Sequence, residues 1–306
     1  MTESAVVPAS LIRHELKLFR NSKSVINRCT DKLKMKEYLF EKNIPMTNFL
    51  SSRNKSVDQI MSQLGLPLVC KVKHSSGGRG VTFINSREEL ERNLSKDVYF
   101  ESVVNGKEGS IESFIQNREI IFTNITEYYK NGECNLVPCT YSDELKSKLL
   151  ELNEKVINAL NIKWGMTHLE FYITEDKILF GEVALRPPGG YIMDSLDLSY
   201  SQKFWDIFID IELHQNVEIN NINQNFSCSI IIHPGKGIVK TISGEDAINK
   251  LESLVNFKLK VNEGDKILNR EGVGQECGHL ILSSKIKENL LDDLSKFYAN
   301  FKIHLS

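Results

Sequence analysis

Four side chains within residues 168–191, HLEFYITEDKILFGEVALRPPGGY, have the types and spacing for metal and phosphate chemistry: His168, Glu170, Glu182 and Arg186. Apolar residues alternate on either side of Glu175–Lys177, which predicts two antiparallel strands joined by a tight turn. With a three-residue turn, Glu170 lies opposite Glu182, Tyr172 opposite Phe180 and His168 opposite Ala184. Leu169, Phe171, Ile173, Leu179, Val183 and Leu185 then share the other face, a core face. Facing carboxylates repel and weaken a sheet unless a cation lies between them. Mg2+, which takes carboxylates together with substrate phosphates, is one answer. A surface hairpin with two solvated glutamates and a structural arginine is the other.

A second group is Lys71 with the loop that follows it, His74-Ser75-Ser76-Gly77-Gly78-Arg79-Gly80. The loop joins two expected strands and has no GK[ST] opening a helix, so it is not a Walker A loop. Its small residues can still present backbone amides to a phosphate, beside the fixed charge of Lys71. It reads equally as a hairpin tip, with His74 and Arg79 either reaching a phosphate or solvated. Tyr191 and Met193 are candidates for an acceptor pocket or for packing, while His233 and His279 read as structural. No Ser/His/Asp or Cys/His arrangement supports covalent catalysis.

The elements that must position these residues can be read from caps and periodicity. Residues 9–20 are expected to form a helix with an apolar stripe that includes Leu11, Leu16 and Phe19. Thr30 or Asp31 caps a helix running to about residue 42, and Pro45 ends it. Ser56 with Gln59, and Ser86 with Glu89, are capping boxes for helices over 56–64 and 86–94. Strands are expected at 67–73, 81–84, 98–104, 110–115 and 119–125, with a hairpin turn at Asn131-Gly132. A long amphipathic helix covers 143–160, and another covers 193–213. The polar run 216–225 is the best boundary; beyond it come a strand, a turn at Pro234–Gly237, a second strand, a helix over 244–255, further strands and a helix from 286.

At 306 residues the chain can hold one large domain or two to three lobes. Its 25% charged and 41% hydrophobic residues are ordinary for a globular protein, and a net charge of −2 argues against nucleic acid or an anionic membrane as partner. No apolar run approaches membrane length and no basic-then-apolar leader is visible. The six cysteines lack metal-ligand spacing. Together these predict a cytoplasmic protein with free thiols.

Taken in order, the motifs resemble the ATP-grasp superfamily from about Thr30 to the C-terminus. Asp31-Lys32 opening a helix resembles that family's first nucleotide lysine. PLVCKVKHSSGGRGV resembles its second lysine, Lys71, with the phosphate-covering loop (His74, Ser76, Gly77, Gly78). Glu101, Ser102, Val103 and Val104 resemble the adenine-binding hinge, and Glu108 the ribose-binding glutamate. His168-x-Glu170 and Gly181-Glu182-x-x-x-Arg186 resemble the metal-binding strands and the catalytic arginine. The PGKG turn and VNEGDKI are similar to the last lobe of carboxylate–amine ligases, amino-acid ligases in particular.

The resemblance implies an α+β ATP-grasp fold: two α+β lobes hold ATP between antiparallel sheets, and a small C-terminal α+β lobe follows. It divides the chain into a helical segment at 1–29, an ATP-grasp core at 30–215 with its nucleotide lobe near 45–130, and the last lobe at 226–306. It implies ATP and Mg2+ (with Mn2+ able to stand in) as cofactors, and a reaction joining a carboxylate to an amine through an acyl phosphate. Arg186 and His168 would be catalytic, and Glu170 and Glu182 would hold the metal. Two departures stand out. Ala184 replaces the asparagine of the usual Glu-x-Asn strand, and only about thirty residues precede the first lysine where a Rossmann-like domain is usual. They motivate an alternative: a weakly active or inactive nucleotide-binding subunit. The short N-terminal segment, with its apolar stripe, points to a homodimer or a partner protein covering it.

Overall fold

The structure, a computed structural model, describes residues 3–18, 21–75, 77–95, 97–130, 133–270, 272 and 274–306. Phe19, Ser76 and the 131–132 turn therefore lie outside the described residues. The chain opens with α1 (Glu3–Glu15), α2 (Lys23–Thr30), α3 (Lys32–Glu41), β1 (Phe49–Ser51), α4 (Val57–Leu64), β2 (Leu68–Val72) and β3 (Val81–Ile84). It continues through α5 (Arg87–Asn93), β4 (Val98–Ser102), β5 (Lys107–Gln116), β6 (Glu119–Lys130), β7 (Cys134–Val137), α6 (Asp143–Leu160), β8 (Gly165–Ile173) and β9 (Ile178–Ala184). Then come α7 (Ile192–Tyr200), α8 (Phe204–Glu212), β10 (Phe226–Ile232), β11 (Gly237–Ser243), α9 (Glu245–Ile248), β12 (Leu254–Leu259), β13 (Lys266–Ile267), β14 (Gly278–Ser284), α10 (Lys287–Asn300) and β15 (Lys302–Leu305). Two compact units result: residues 1–121 with 141–187, and residues 122–140 with 188–306.

In the first unit a four-stranded antiparallel sheet has the order β1-β4-β2-β3. Leu68, Cys70, Ile84, Val98 and Phe100 pack with Ile60 of α4 and Leu90 of α5. Strand alternation then sends Lys71 and Glu101 to the opposite face, away from these helices. Three strands of the same unit, in the order β5-β8-β9, form a second antiparallel array. Ile111, Leu169, Phe171 and Val183 are buried there, as are Leu149, Leu152, Val156 and Leu160 of α6. Burying each such side chain fully is worth about 1.5–3 kcal/mol. Ser113 of β5 accepts a hydrogen bond from Asn153 of α6 at 2.9 Å, which marks this as the helix-facing side. Glu108, Ser110, Glu112, His168, Glu170 and Glu182 alternate onto the other.

The second unit has strands in the order β12-β14-β10-β7-β6. Its core joins Leu136, Ile230, Leu280 and Leu282 to Leu290, Leu294 and Phe297 of α10. A separate small sheet, β13-β11-β15, closes over Val239, Ile267 and Cys277. Among the described residues no helix is long and apolar enough to cross a membrane.

Several local expectations need correcting. The β8–β9 register holds at His168–Ala184 and Glu170–Glu182, but Phe180 pairs with Phe171 rather than Tyr172 because the ladder shifts beyond Glu170. The Phe180 amide donates to the Pro45 carbonyl at 2.7 Å instead. The Ser86 cap is half a capping box: Ser86 accepts from the Glu89 amide, while the Glu89 carboxylate takes the Asn85 amide. The expected 193–213 helix is two, broken where Ser201 adopts φ +53° and restarted by Asp197 accepting from the Phe204 amide at 2.7 Å. The expected 244–255 helix stops after one turn, because Asp293 takes both the amide and hydroxyl of Ser253 and leads the chain into β12.

Asp31 is the cap that sets α3. Its Oδ1 accepts from the amides of Leu33 and Lys34 at 3.1 Å each, and the Lys32 amide donates to the Lys73 carbonyl at 3.0 Å. Asp31→Ala is expected to cost about 1 kcal/mol of stability in urea unfolding, and Asp31→Asn distinctly less, because asparagine caps comparably. Equal losses for the two would mean that the cap is not what holds α3.

Candidate functional site

Helix α3 and the two sheets of the first unit bring most of the expected charges into one network. Lys32 and Lys36 lie one helical turn apart and share a face. Lys32 Nζ is 2.6 Å from Glu182 Oε2, with side chains 11% and 22% exposed. Lys36 Nζ is 2.9 Å from Glu101 Oε1, and Lys71 Nζ is 2.9 Å from Glu101 Oε2. One buried carboxylate thus serves two lysines.

The second strand array adds a chain of titratable groups. Glu112 is opposite His168 across β5–β8, and Ser110 is opposite Glu170. The fully buried Glu112 Oε1 accepts from Ser110 at 2.7 Å and lies 2.9 Å from His168 Nδ1. His168 Nε2 is 3.5 Å from Glu170 Oε1. The facing carboxylates Glu170 and Glu182 therefore meet cations from the chain itself, the ammonium of Lys32 and the ring of His168.

Electrostatics follow this geometry. Burial works against the charge on Glu101, but Lys36 and Lys71 hold its carboxyl down at about 2. Burial opposes the Lys71 charge as well, yet Glu101, Tyr172 and Glu182 carry its pKa well above the ordinary lysine value. Lys36 goes the other way, lowered by burial with Glu101 opposing. Burial would discharge His168, but its bonds to Glu112 and Glu170 raise it to about 9. Burial likewise opposes the charge on Glu170, and His168 returns the favourable interaction, bringing that carboxyl to about 2. Glu108 is raised by burial and by Glu170.

The remaining expected residues are placed as follows. Gly77 and Gly78 adopt φ +63° and +80°, and Ser76 is outside the described residues. His74 is exposed, with Nδ1 3.0 Å from the Thr30 carbonyl. At the hinge the Ser102 amide donates to the Asn48 carbonyl and the Ser102 carbonyl accepts from Thr47, and Val103 and Val104 follow directly after β4. Arg186 Nε donates to Glu3 Oε2 at 2.7 Å, and its Nη1 donates to the Pro187 carbonyl. In the second unit Tyr191 stacks on His279 with ring centroids 4.2 Å apart and donates to Glu276, while Met193 is buried. Sequence reasoning missed Lys36 and Glu112. The i, i+4 spacing from Lys32 and the alternation Glu108, Ser110, Glu112 were the available signals.

Comparison with known proteins gives the chain's relatives. A model of the ATP-grasp domain matches residues 37–200. The L-arginine-specific L-amino acid ligase of Bacillus subtilis is 23% identical over 300 residues, 90% of this chain and 72% of that protein. The formate-dependent phosphoribosylglycinamide formyltransferase of Prochlorococcus marinus (strain MIT 9312) is 25% identical over 231 residues, 70% of this chain and 55% of that one. Among solved structures, the L-amino acid ligase from Bacillus licheniformis matches with a TM-score of 0.78 at 17% identity, covering 97% of this chain and 78% of that one. The N5-carboxyaminoimidazole ribonucleotide synthetase from Thermotoga maritima matches with a TM-score of 0.75 at 18% identity, covering 98% and 79%.

The His168 shift has a consequence for stability. Because the folded pKa is raised from 6.5 to about 9, the charged ring stabilises the fold fully below about pH 6.5 and progressively less as pH rises through about 9. The urea midpoint of the wild type is expected to fall across this window, and His168→Gln to flatten that fall. Parallel profiles would show that the folded state does not hold the extra proton.

Proposed function

The chain belongs to the ATP-grasp family and has its α+β fold, and from that premise we propose an ATP- and Mg2+-dependent carboxylate–amine ligase. In the proposed reaction a substrate carboxylate oxygen takes the γ-phosphoryl group of ATP, releasing ADP. An amine then attacks the acyl carbon, and phosphate leaves as the amide forms. The observation that carries this reading is the register-opposed pair Glu170 and Glu182, joined to Lys32 and flanked by His168. Lys71, anchored by Glu101, supplies a second fixed cation on the same unit.

The donor set suits Mg2+, since both carboxylates offer hard oxygens and both are partly exposed. Among the described residues no group of three or more His, Cys, Asp or Glu side chains gathers as a ready metal site, so phosphate oxygens and water would complete the shell. A cation there would neutralise phosphate charge. Lys32 would contact the same phosphates, and His168 would orient Glu170 from behind, with Glu112 fixing the ring. Arg186, which already binds the carboxylate of Glu3, would clamp the substrate carboxylate. Glu108 would accept from the ribose, and the backbone at Val103 and Val104 would read adenine. An amino acid is the favoured carboxylate, by likeness to the Bacillus subtilis ligase. The exposed Leu11 and Ile12 of α1, with Leu16 just beyond its end, suit a homodimer contact, which sedimentation at micromolar concentration would reveal.

Ala184, opposite His168, favours a second reading: a nucleotide-binding subunit with little turnover, because one expected oxygen ligand is absent. Phosphate release screened over amino acids and amines separates the two, since a binding subunit would hold ATP without substrate-stimulated turnover. Lys71→Ala is expected to weaken ATP binding in calorimetry, and Lys73→Ala much less. Glu182→Gln is expected to abolish turnover and Glu170→Gln to damage it severely. Ala184→Asn should be tolerated or should tighten Mg2+. Near-wild-type Mg2+ titrations for both glutamate variants would remove the hairpin from the active site.

A further inference from the structure

Lys36 belongs to none of the roles described so far, yet it is one of the most buried side chains in the molecule. It is 1% exposed and sits 2.9 Å from Glu101 Oε1, while Lys71 takes Oε2 of the same carboxylate at the same distance. Lysine is almost never fully buried without a partner. Here the partner is already claimed. Two lysines on Glu101 commit that carboxylate fully, one oxygen to each ammonium.

We propose that Lys36 is a positioning residue for nucleotide binding: by holding one oxygen of Glu101 it keeps that carboxylate from closing on Lys71 alone, so that the Lys71 ammonium stays open to a polyphosphate. This rests on the reading of Lys71 as a phosphate ligand. With Lys36 absent, Glu101 and Lys71 would form a balanced pair, with both carboxylate oxygens available to one ammonium. Such a pair attracts an anion far less than a charged site in a low-dielectric setting does. The geometry places Lys36 where it can do this and little else. It lies one turn from Lys32, so α3 delivers one lysine to Glu182 and the other to Glu101. The Phe49 ring lies 5.9 Å from its ammonium and contributes no countercharge.

The proposal makes stability and binding move apart. A lysine retained for structure would, on removal, lower the melting temperature and take ligand binding down with it. Replacing Lys36 by an apolar side chain leaves Glu101 paired with Lys71, so no buried charge is stranded and the fold is expected to keep its stability. In the full chain, Lys36→Met is expected to melt at or above the wild-type temperature. It should bind ATP and ADP about tenfold more weakly, and adenosine, which has no phosphate, unchanged. Lys36→Arg, which keeps the charge and reaches the same oxygen, should retain ATP affinity within about twofold. Lys36→Gln carries the expectation of the methionine variant and replaces it if that variant does not fold. Unchanged ATP affinity in the methionine or glutamine variant overturns the proposal. So does a loss shared equally by ATP and adenosine alongside a lowered melting temperature. Lys71→Ala, measured in parallel, tells the two failures apart. If it weakens ATP and Lys36→Met does not, the role of Lys36 falls alone; if neither does, the phosphate site falls with it.

Discussion

Two carboxylates held opposite each other on neighbouring strands must be answered by positive charge, and much of the first unit is arranged around that demand. Glu170 and Glu182 cannot move apart, because β8–β9 pairing fixes their register. The cations therefore have to come to them. Helix α3 brings Lys32 from one side, and His168, two residues back on β8, supplies the other. Holding a protonated ring in a buried place requires a further anion, which is Glu112 on the next strand, itself fixed by Ser110. The outcome is an alternating series of charges in which each member stabilises the ionised form of the next.

The helix that answers the first pair also answers Glu101. Its orientation is set at its start, where Asp31 caps the first turn and the Lys32 amide ties it to the strand-end carbonyl of Lys73. Further along, Tyr38 donates to the Ala159 carbonyl of α6, and the sulfur of Met35 accepts from the Val183 amide. A helix held at three places cannot rotate to relieve its lysines. Their ion pairs are consequences of backbone placement rather than of side chains finding each other on a surface, where such pairs are worth about 0–1 kcal/mol.

What was legible in the sequence follows from period and chemistry. Alternation in 168–185 was enough to place Glu170 opposite Glu182, because a one-residue slip would have turned Leu169 and Val183 to the wrong face. It was not enough for the lower half of the hairpin. There the Phe180 amide leaves the ladder for Pro45, a bond with a residue more than a hundred positions away in sequence. Gly181 held a clue, since a side chain there would come within 2.9 Å of the Glu170 carbonyl, and glycine inside a strand often marks such a shift. Lys36 was illegible for a different reason. Spacing puts it beside Lys32, but nothing local distinguishes a lysine that is buried from the many that are solvated. The partner that buries it, Glu101, belongs to a strand some sixty residues on. Caps were read correctly where the bond is local, as at Ser56, and half-correctly at Ser86, where Glu89 chose the neighbouring amide.

The division of labour between rigid elements and loop also has a physical basis. Lys32, Lys36, Lys71, Glu101, His168, Glu170 and Glu182 all stand on helix or strand, where neighbours fix each rotamer and the charges are set before any ligand arrives. The loop after β2 contributes differently. A side chain at Gly78 would meet open space, so packing does not demand glycine there; its φ of +80° does. At Gly80 both constraints apply, since its φ is +68° and an added carbon would come within 2.5 Å of Val72. Glycines chosen for backbone conformation, beside the exposed side chains of His74 and Arg79, let the loop present amides as well as side chains. Charge is placed on the scaffold because charges separated from their partners are costly to carry, while amides are neutral and can be carried by a loop at little cost.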